Sequence, residues 1–194
     1  MRRVWEARIG WLDVSERDDL LEEIKSKAVV HGDFVLSSGK RASWYVDLRR
    51  VTLDGAAAPL VGRVMLDATA DLDYEAVGGL TLGADPVAAA MLHAAAARGR
   101  ALDAFVVRKA GKAHGLQRRI EGPDVTGRRV LAVEDTSTTG GSVLTAVEAL
   151  REAGAEVVAV ATIVERGAAE RIAAAGLEYR YPFTVADLGV AATG

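Results

Sequence analysis

The chain of 194 residues contains no cysteine, which excludes disulfide bonds, thiol catalysis and cysteine-based zinc sites. It has only three histidines, His31, His93 and His114, and their wide spacing forms no metal-binding pattern. No uninterrupted apolar run is long enough to cross a bilayer, and the basic N-terminus lacks the apolar core of a signal peptide. We therefore expect a soluble, cytoplasmic protein without membrane attachment.

The chain also has little excess of either positive or negative charge. The net charge of −3 gives no general attraction to nucleic acid or to anionic membranes, and neither a helix-turn-helix segment nor a basic face is apparent. Hydrophobic residues make up 50% of the chain, which suffices for a sizeable core. We expect residues 15–194 to form a single domain, preceded by an extension (residues 1–14) in which residues 1–12 match no pattern.

Apolar periodicity predicts strands and helices that alternate along most of the chain. The predicted helices cover residues 15–30, 56–70, 84–97, 141–153 and 168–175. The predicted strands cover residues 34–36, 44–48, 76–79, 104–107, 130–133, 157–164 and 179–185. This alternation predicts an α/β fold with a mostly parallel central sheet flanked by helices, and ligands are then expected at the carboxyl ends of the strands.

The most informative segment starts with the apolar run Val130–Val133. Two acids, Glu134 and Asp135, follow where that strand should end, and helical spacing resumes from Val143. Between the acids and this helix lie only small residues, Thr136, Ser137, Thr138, Thr139, Gly140, Gly141 and Ser142, which we name the phosphate loop. Backbone N–H groups of such a loop and the following helix dipole suit an anion, and the acids suit hydroxyls, so the segment describes a site for a ribose 5-phosphate.

This segment differs from two common nucleotide motifs. It is not a Walker loop, because no Gly-Lys-Ser/Thr ends it, and it is not a dinucleotide fingerprint, because Gly-x-Gly-x-x-Gly is absent. Its order of apolar strand, two acids and Thr/Gly/Ser loop resembles the phosphoribosyl pyrophosphate (PRPP) signature of type I phosphoribosyltransferases. The resemblance implies that Glu134 and Asp135 hold the 2- and 3-hydroxyls of the ribose and that Thr136 to Ser142 bind its 5-phosphate.

Residues 108–126, which we name the basic segment, interrupt the alternation without hydrophobic periodicity. Positive charge is concentrated there on Arg108, Lys109, Lys112, Arg118 and Arg119. Taken alone, a solvated basic loop and a functional loop are about equally good interpretations. Beside a PRPP-like loop the functional interpretation is favoured, because cations that close over pyrophosphate and exclude water help it to leave.

The spacing Arg108-Lys109-x-x-Lys112-x-His114-Gly115 resembles the catalytic loop of orotate phosphoribosyltransferases. The resemblance implies that Arg108, Lys109, Lys112 and His114 bind PRPP. It also implies that Lys109, Lys112 and His114 act in catalysis together with Asp135. Finally, it implies a homodimer in which this loop closes over PRPP bound at the partner subunit.

Three further motifs follow the order of the same family. Phe34-x-Leu-x-Ser-Gly39, followed by Trp44-Tyr45-x-Asp47, resembles the family's N-terminal hood, which implies a hood at about residues 15–50 and a core at about 56–185. The run Gly78–Ala84 corresponds to the pyrophosphate-contacting loop, and Glu165-Arg166-Gly167 ends a strand where the family places an arginine against orotate. The resemblance thus implies that Thr138, Arg166 and Tyr45 bind orotate, although Tyr45 and Trp44 also suit simple packing.

Two positions depart from the family pattern. Ser37 stands where many members carry a lysine, and Thr81-Leu82 stands where many carry Tyr-Lys. Two cationic contacts to pyrophosphate are thus missing, so either PRPP binding is weaker or the cations of the basic segment carry more of it. Elsewhere, Asp85 before Pro86 is interpreted as a helix cap.

The resemblance implies transfer of ribose 5-phosphate from PRPP to orotate, which gives orotidine 5-monophosphate and pyrophosphate, a step of pyrimidine biosynthesis. Mg²⁺ would be held mainly through PRPP and water, with no protein ligand. One alternative is a phosphoribosyltransferase for a purine base, although Arg166 suits a carboxylated base better. Another alternative is a PRPP-sensing regulator without turnover, which would need a nucleic-acid surface.

Overall fold

Apolar runs of the chain form a central sheet in the computed structural model, which describes residues 14–35, 41–109 and 119–190. The helices are α1 (Val14–Glu23), α2 (Arg49–Thr52), α3 (Ala57–Ala68), α4 (Ala84–Ala97), α5 (Gly141–Glu152) and α6 (Ala169–Ala174). The strands are β1 (Val29–Val35), β2 (Arg41–Val46), β3 (Ala76–Leu80), β4 (Asp103–Val107), β5 (Ile120–Glu121), β6 (Arg129–Ser137), β7 (Glu156–Glu165), β8 (Tyr179–Arg180) and β9 (Phe183–Thr184). A π-helical turn (Ile24–Ala28) follows α1, and a 3-10 turn (Ala186–Leu188) follows β9.

The main sheet has the strand order β5-β4-β3-β6-β7-β8, with β9 also paired to β7. All its pairings are parallel except that of β4 with β5. The predicted mostly parallel α/β fold is therefore confirmed. Because β3 and β6 are parallel neighbours in the middle of the sheet, the turn after β3 and the acids of β6 meet at one edge.

Both faces of the sheet are covered by helices. In β6, Leu131 and Val133 pack into a cluster with α3 and α4, whereas Val130 and Ala132 pack into a second cluster with α5. This alternation is the period of two that a strand requires, and burial on both faces explains why the run is continuously apolar. Its strand axis is therefore fixed from both sides, and so are the residues at its carboxyl end.

The antiparallel pair β1–β2 stands apart from the main sheet but shares its core. Trp44 and Val46 of β2 and Leu20 and Ile24 of the preceding helical segment are buried in the same cluster as α3 and α4. The pair thus forms a cover that is anchored beside the carboxyl edge of the main sheet.

Several predicted bounds were wrong. The first helix was predicted to reach residue 30, but β1 starts at Val29, because this β-branched residue pairs with Val46 of β2. The last strand was predicted as one run, but Pro182 separates β8 from β9, since proline has no N–H for a sheet ladder. The short helix α2 and the short strand β5 were not predicted.

In the described part of the chain, no helix combines the length and apolar character that a membrane crossing requires.

Candidate active site

The acids Glu134 and Asp135 lie inside β6, not after it. The strand was predicted to end at Val133, but its pairing with β7 continues as far as Ser137 opposite Glu165. The prediction was wrong because strand length is decided by pairing with a neighbour, which apolar periodicity does not report. As a result the two carboxyl groups project from a hydrogen-bonded strand and their positions are fixed by the sheet.

The turn after β3, Thr81–Gly83, packs directly against these acids. A Cβ atom on Gly83 would lie 2.1 Å from Oε1 of Glu134 and 3.0 Å from Oδ1 of Asp135. The first distance is shorter than real Cβ contacts, so a side chain at this position would have to push the end of the Glu134 side chain aside, and the second is tighter than most Cβ contacts. The peptide bond between Thr81 and Leu82 is cis.

Burial controls the charge of the two acids. The Glu134 residue is only 6% exposed, and burial raises the pKa of its carboxyl to about 8, with a further contribution from the charge of Asp135. Burial also raises the pKa of Asp135, whereas the Thr136 N–H, 2.7 Å from its Oδ1, and the guanidinium of Arg49 oppose that rise. In the free protein at neutral pH the two acids therefore carry fewer than two negative charges.

The phosphate loop turns sharply into α5. Gly140 has φ of 73°, the left-handed region that glycine adopts most easily, and α5 starts at the next residue. The Gly140 N–H donates to Oγ of Ser137 at 3.1 Å, so the buried Ser137 hydroxyl shapes the loop in the free protein. Thr138, Thr139 and Ser142 are exposed at the mouth of this loop. Together with the amino end of α5 they offer hydroxyl and N–H donors to an anion.

Arg166 follows β7 and lies between the phosphate loop and the β1–β2 cover. Its backbone N–H donates to the Ser137 carbonyl at 3.1 Å, and its guanidinium lies 5.6 Å from the ring centroid of Trp44. Burial lowers the pKa of Arg166, while Tyr45 and Asp135 act in the opposite direction. Tyr45, which is 37% exposed, thus faces the same mouth as the acids.

The basic segment is only partly described. Lys112 and His114 lie outside the described residues. Arg108 donates to Oε1 of Glu121 at 3.3 Å, and its backbone N–H donates to the Arg119 carbonyl at 2.7 Å. The exposed Lys109 acts electrostatically on Glu134 of its own chain and lowers its pKa, so it lies on the side of the acids.

Sequence reasoning missed two contributors to this site. Arg49, at the start of α2, donates through Nε to Oδ1 of Asp47 at 2.8 Å and also acts on Asp135. Asp85 was interpreted as a helix cap, which was wrong: the residue before α4 is Gly83, without a side-chain cap, and Asp85 lies in the first turn. Its Oδ2 instead accepts a hydrogen bond from the Thr81 hydroxyl at 2.7 Å. Neither the proximity of Arg49 to Asp135 nor the hydrogen bond between Thr81 and Asp85 can be predicted from the spacing of residues in the sequence.

Comparison with known proteins gives consistent relatives. The family model of the phosphoribosyl transferase domain matches residues 78–176. The orotate phosphoribosyltransferase of Streptomyces avermitilis is 74% identical over 177 residues, which cover 90% of this chain and 97% of that protein. Crystal structures of the Mycobacterium tuberculosis orotate phosphoribosyltransferase also match over 90% of this chain and 99% of theirs: the Fe(III) dicitrate complex has a TM-score of 0.83 at 59% identity. The PRPP complex has a TM-score of 0.79 at 54% identity.

Proposed function

The chain belongs to the family of orotate phosphoribosyltransferases, and from this membership we propose that it transfers ribose 5-phosphate from PRPP to orotate. The products are orotidine 5-monophosphate and pyrophosphate, and the enzyme is a pentosyltransferase of pyrimidine biosynthesis. The observation that carries this proposal is that Glu134, Asp135, the phosphate loop and Arg166 meet at one edge of the sheet.

PRPP binds across the carboxyl end of β6. The 5-phosphate is held by the phosphate loop, Thr136 to Ser142, and by the amino end of α5. The ribose 2- and 3-hydroxyls face Glu134 and Asp135. Cations that arrive with the substrate, together with Lys109, favour the ionised form of Glu134, and the resulting negative charge stabilises a cationic ribose ring.

The pyrophosphate faces the cations of the basic segment. Arg108 and Lys109 are among the described residues, and Lys112 and His114 are assigned the same role by their place in the family spacing. The turn Thr81–Gly83 carries no cation, and Leu82 is exposed there. Lys109 therefore takes a larger share of the charge that develops on the leaving group.

Orotate binds between the phosphate loop and the β1–β2 cover. The guanidinium of Arg166 suits the orotate carboxylate through two parallel hydrogen bonds, and Thr138 and Tyr45 line the same mouth. The base nitrogen loses its proton to solvent and forms its bond to C1 of the ribose as the bond from C1 to pyrophosphate breaks, with the electron pair leaving on the pyrophosphate. No protein nucleophile is needed, so the protein contributes chiefly alignment, which can supply roughly 7–11 kcal/mol.

The site residues fit Mg²⁺ that is bound mainly through PRPP. In the described ranges, no group of three or more histidine, aspartate or glutamate residues is arranged to hold a metal ion. Glu134 and Asp135 would meet the ion only through ribose hydroxyls and water. When bound, Mg²⁺ supplies positive charge that neutralises the pyrophosphate.

A homodimer completes the proposal. An apolar groove of about 500 Å³ runs between α2, α3 and α4, and Leu53 beside it is 70% exposed. An exposed apolar surface of this kind supports contact with a second copy of the chain. The rest of the basic segment would then serve the partner's PRPP, whereas Lys109 stays close to Glu134 of its own subunit.

We also propose a single domain and a cytoplasmic location. The shared cluster of β2, α3 and α4 supports a single domain over residues 15–194, with the hood at about 15–50 and the core at about 56–185. The absence of cysteine supports a cytoplasmic location.

Turnover with a panel of bases tests the proposed function. We expect pyrophosphate release from PRPP with orotate and none with adenine, hypoxanthine or guanine. Turnover with a purine instead would identify a purine-base phosphoribosyltransferase. PRPP binding without turnover of any base would identify the PRPP-sensing regulator.

A further inference from the structure

The side chain of Asp85 has no part in the mechanism described above, although it lies in the first turn of α4, next to the turn Thr81–Gly83. One of its oxygens, Oδ2, accepts the Thr81 hydroxyl at 2.7 Å. The other, Oδ1, is inaccessible to solvent and has no hydrogen-bond partner among the described residues. A half-buried carboxylate with one oxygen bonded to a single neighbour and the other buried without a partner costs free energy, so the position of Asp85 calls for an explanation.

Thr81 is held from two sides. Its backbone N–H donates to the Val107 carbonyl at 2.8 Å, at the end of β4 where the basic segment starts. Its hydroxyl reaches Asp85 in the first turn of α4, where a negative charge is favoured by the helix dipole. The turn Thr81–Gly83 is therefore tied both to the root of the basic segment and to α4.

This tie fixes the distance between the turn and the acids. Gly83 lies so close to Glu134 that a Cβ atom would be 2.1 Å from Oε1. A shift of the turn away from α4 would open this contact, and a shift toward β6 would displace the Glu134 carboxyl. The turn has no lysine that could contact pyrophosphate, so it can contribute only backbone groups. These groups reach PRPP only if the position of the turn is fixed.

We propose that Asp85 is a positioning residue for PRPP, which holds the turn Thr81–Gly83 through the Thr81 hydroxyl and thereby keeps Gly83 seated against Glu134. This inference rests on the proposed function. Asp85 and Thr81 do not contact the reacting atoms directly. Their effect is on the ground-state site for PRPP, and the orotate site around Arg166 is left unchanged.

Four single variants separate the hydrogen bond from the charge. Thr81→Val removes the hydroxyl at similar size, Thr81→Ser keeps it, Asp85→Asn keeps an acceptor without the charge, and Asp85→Ala removes both. Loss of a hydrogen bond to a charged group corresponds to roughly tenfold or more in affinity. We therefore expect Thr81→Val and Asp85→Ala each to raise the KM for PRPP roughly tenfold, with the KM for orotate and kcat changed less than about twofold.

The double variant Thr81→Val/Asp85→Ala should be no worse than either single variant, because both remove the same interaction. Thr81→Ser should retain the wild-type KM for PRPP. Asp85→Asn should stay within about threefold of it if the acceptor, and not the charge, positions the turn. Thr126→Val is a matched control, because its hydroxyl donates to Asp124 at 2.8 Å before β6, at the opposite end of that strand from the acids.

Failure of the role proposed for Asp85 can be distinguished from failure of the proposed function. A wild-type KM for PRPP in Thr81→Val, or a Thr81→Ser variant as impaired as Thr81→Val, would overturn the role of Asp85. Equal changes in both KM values with a lower Tm would also overturn it, since they indicate a general loss of stability. Absence of orotate turnover in the unaltered enzyme would instead overturn the proposed function.

Discussion

The guanidinium of Arg166 lies over the ring of Trp44, with its Cζ 5.6 Å from the ring centroid. Trp44 belongs to β2 of the cover and is buried in the core cluster, whereas Arg166 follows β7 of the main sheet. A cation over an aromatic face is stabilised by the ring quadrupole, more so when partly desolvated. The relationship thus joins the two parts of the molecule at the proposed orotate site.

Arg166→Ala should raise the KM for orotate strongly and change PRPP affinity little. Removal of a charge-assisted, two-bond contact corresponds to roughly tenfold to more than a hundredfold in affinity. Steady-state kinetics with orotate varied at saturating PRPP measures the first effect, and calorimetry of PRPP binding measures the second. Arg151→Ala, on the exposed end of α5, is the control. Equal losses for both substrates would show that Arg166 only supports the phosphate loop.

The pKa of Glu134 predicts a pH dependence of stability. The native carboxyl holds its proton up to about pH 8, whereas the unfolded carboxyl loses it near 4.5. The native state therefore binds more protons in this interval, and the contribution of Glu134 to the free energy of unfolding falls as pH rises from about 4.5 to about 8. Above that interval it stays constant.

Glu134→Gln removes this titration while keeping the shape of the side chain. The variant should therefore gain stability relative to the wild type as pH rises across the same interval. Urea unfolding at several pH values between 5 and 8.5 measures the difference, and other titrating groups largely cancel in the comparison. Parallel curves for the two proteins would contradict the raised pKa.

Gly83→Ala should weaken PRPP binding by displacing the Glu134 carboxyl. The added methyl would lie 2.1 Å from Oε1, so the end of the Glu134 side chain must move, and loss of its hydrogen bond to a ribose hydroxyl would correspond to roughly tenfold in affinity. Isothermal titration with PRPP and Mg²⁺ measures it. Gly55→Ala is the matched control, because an added Cβ there meets nothing within 4 Å. Undiminished affinity in Gly83→Ala would place PRPP away from this turn.

Lys109→Ala should lower kcat more than it weakens PRPP binding. Its charge acts most when charge develops on the departing pyrophosphate, and loss of such a donor can cost on the order of 10²–10³ in kcat. Single-turnover kinetics isolates the chemical step, and Lys25→Ala on the far π-helical turn is the control. A raised KM for PRPP at unchanged kcat would mean that Lys109 binds substrate and transition state equally.

Glu134→Gln combined with Asp135→Asn should nearly abolish turnover while the far-ultraviolet circular dichroism and the cooperative thermal transition remain. Both amides keep the size of the acids, but they cannot stabilise a cationic ribose ring by charge. Wild-type turnover in this double variant would remove the assignment of PRPP to the acids.

The sequence predicted the parts of the site that depend on local residue order. The apolar run to Val133, the acids and the small residues up to Ser142 follow one another in the chain, so their meeting needs only a strand, a turn and a helix. The parallel sheet followed from the same alternation. The length of β6 was not predictable in this way, because the strand continues past Val133 through the pairing of Glu134, Thr136 and Ser137 with β7.

Contacts between segments that are distant along the chain could not be predicted either, because they depend on tertiary packing. The neighbourhood of Arg49 and Asp135 depends on where the cover closes over the sheet, and no spacing in the chain encodes that distance. The bond between Thr81 and Asp85 spans only four residues, yet an acid in the first turn of a helix is so common that it carries no specific signal.

Both ends of the basic segment's central part start from one point beside β3. Val107 pairs with Ile120, and the Arg108 N–H donates to the Arg119 carbonyl. The Thr81 N–H donates to the Val107 carbonyl at the same point, so a displacement of the turn Thr81–Gly83 would move Arg108 and Arg119 together with it.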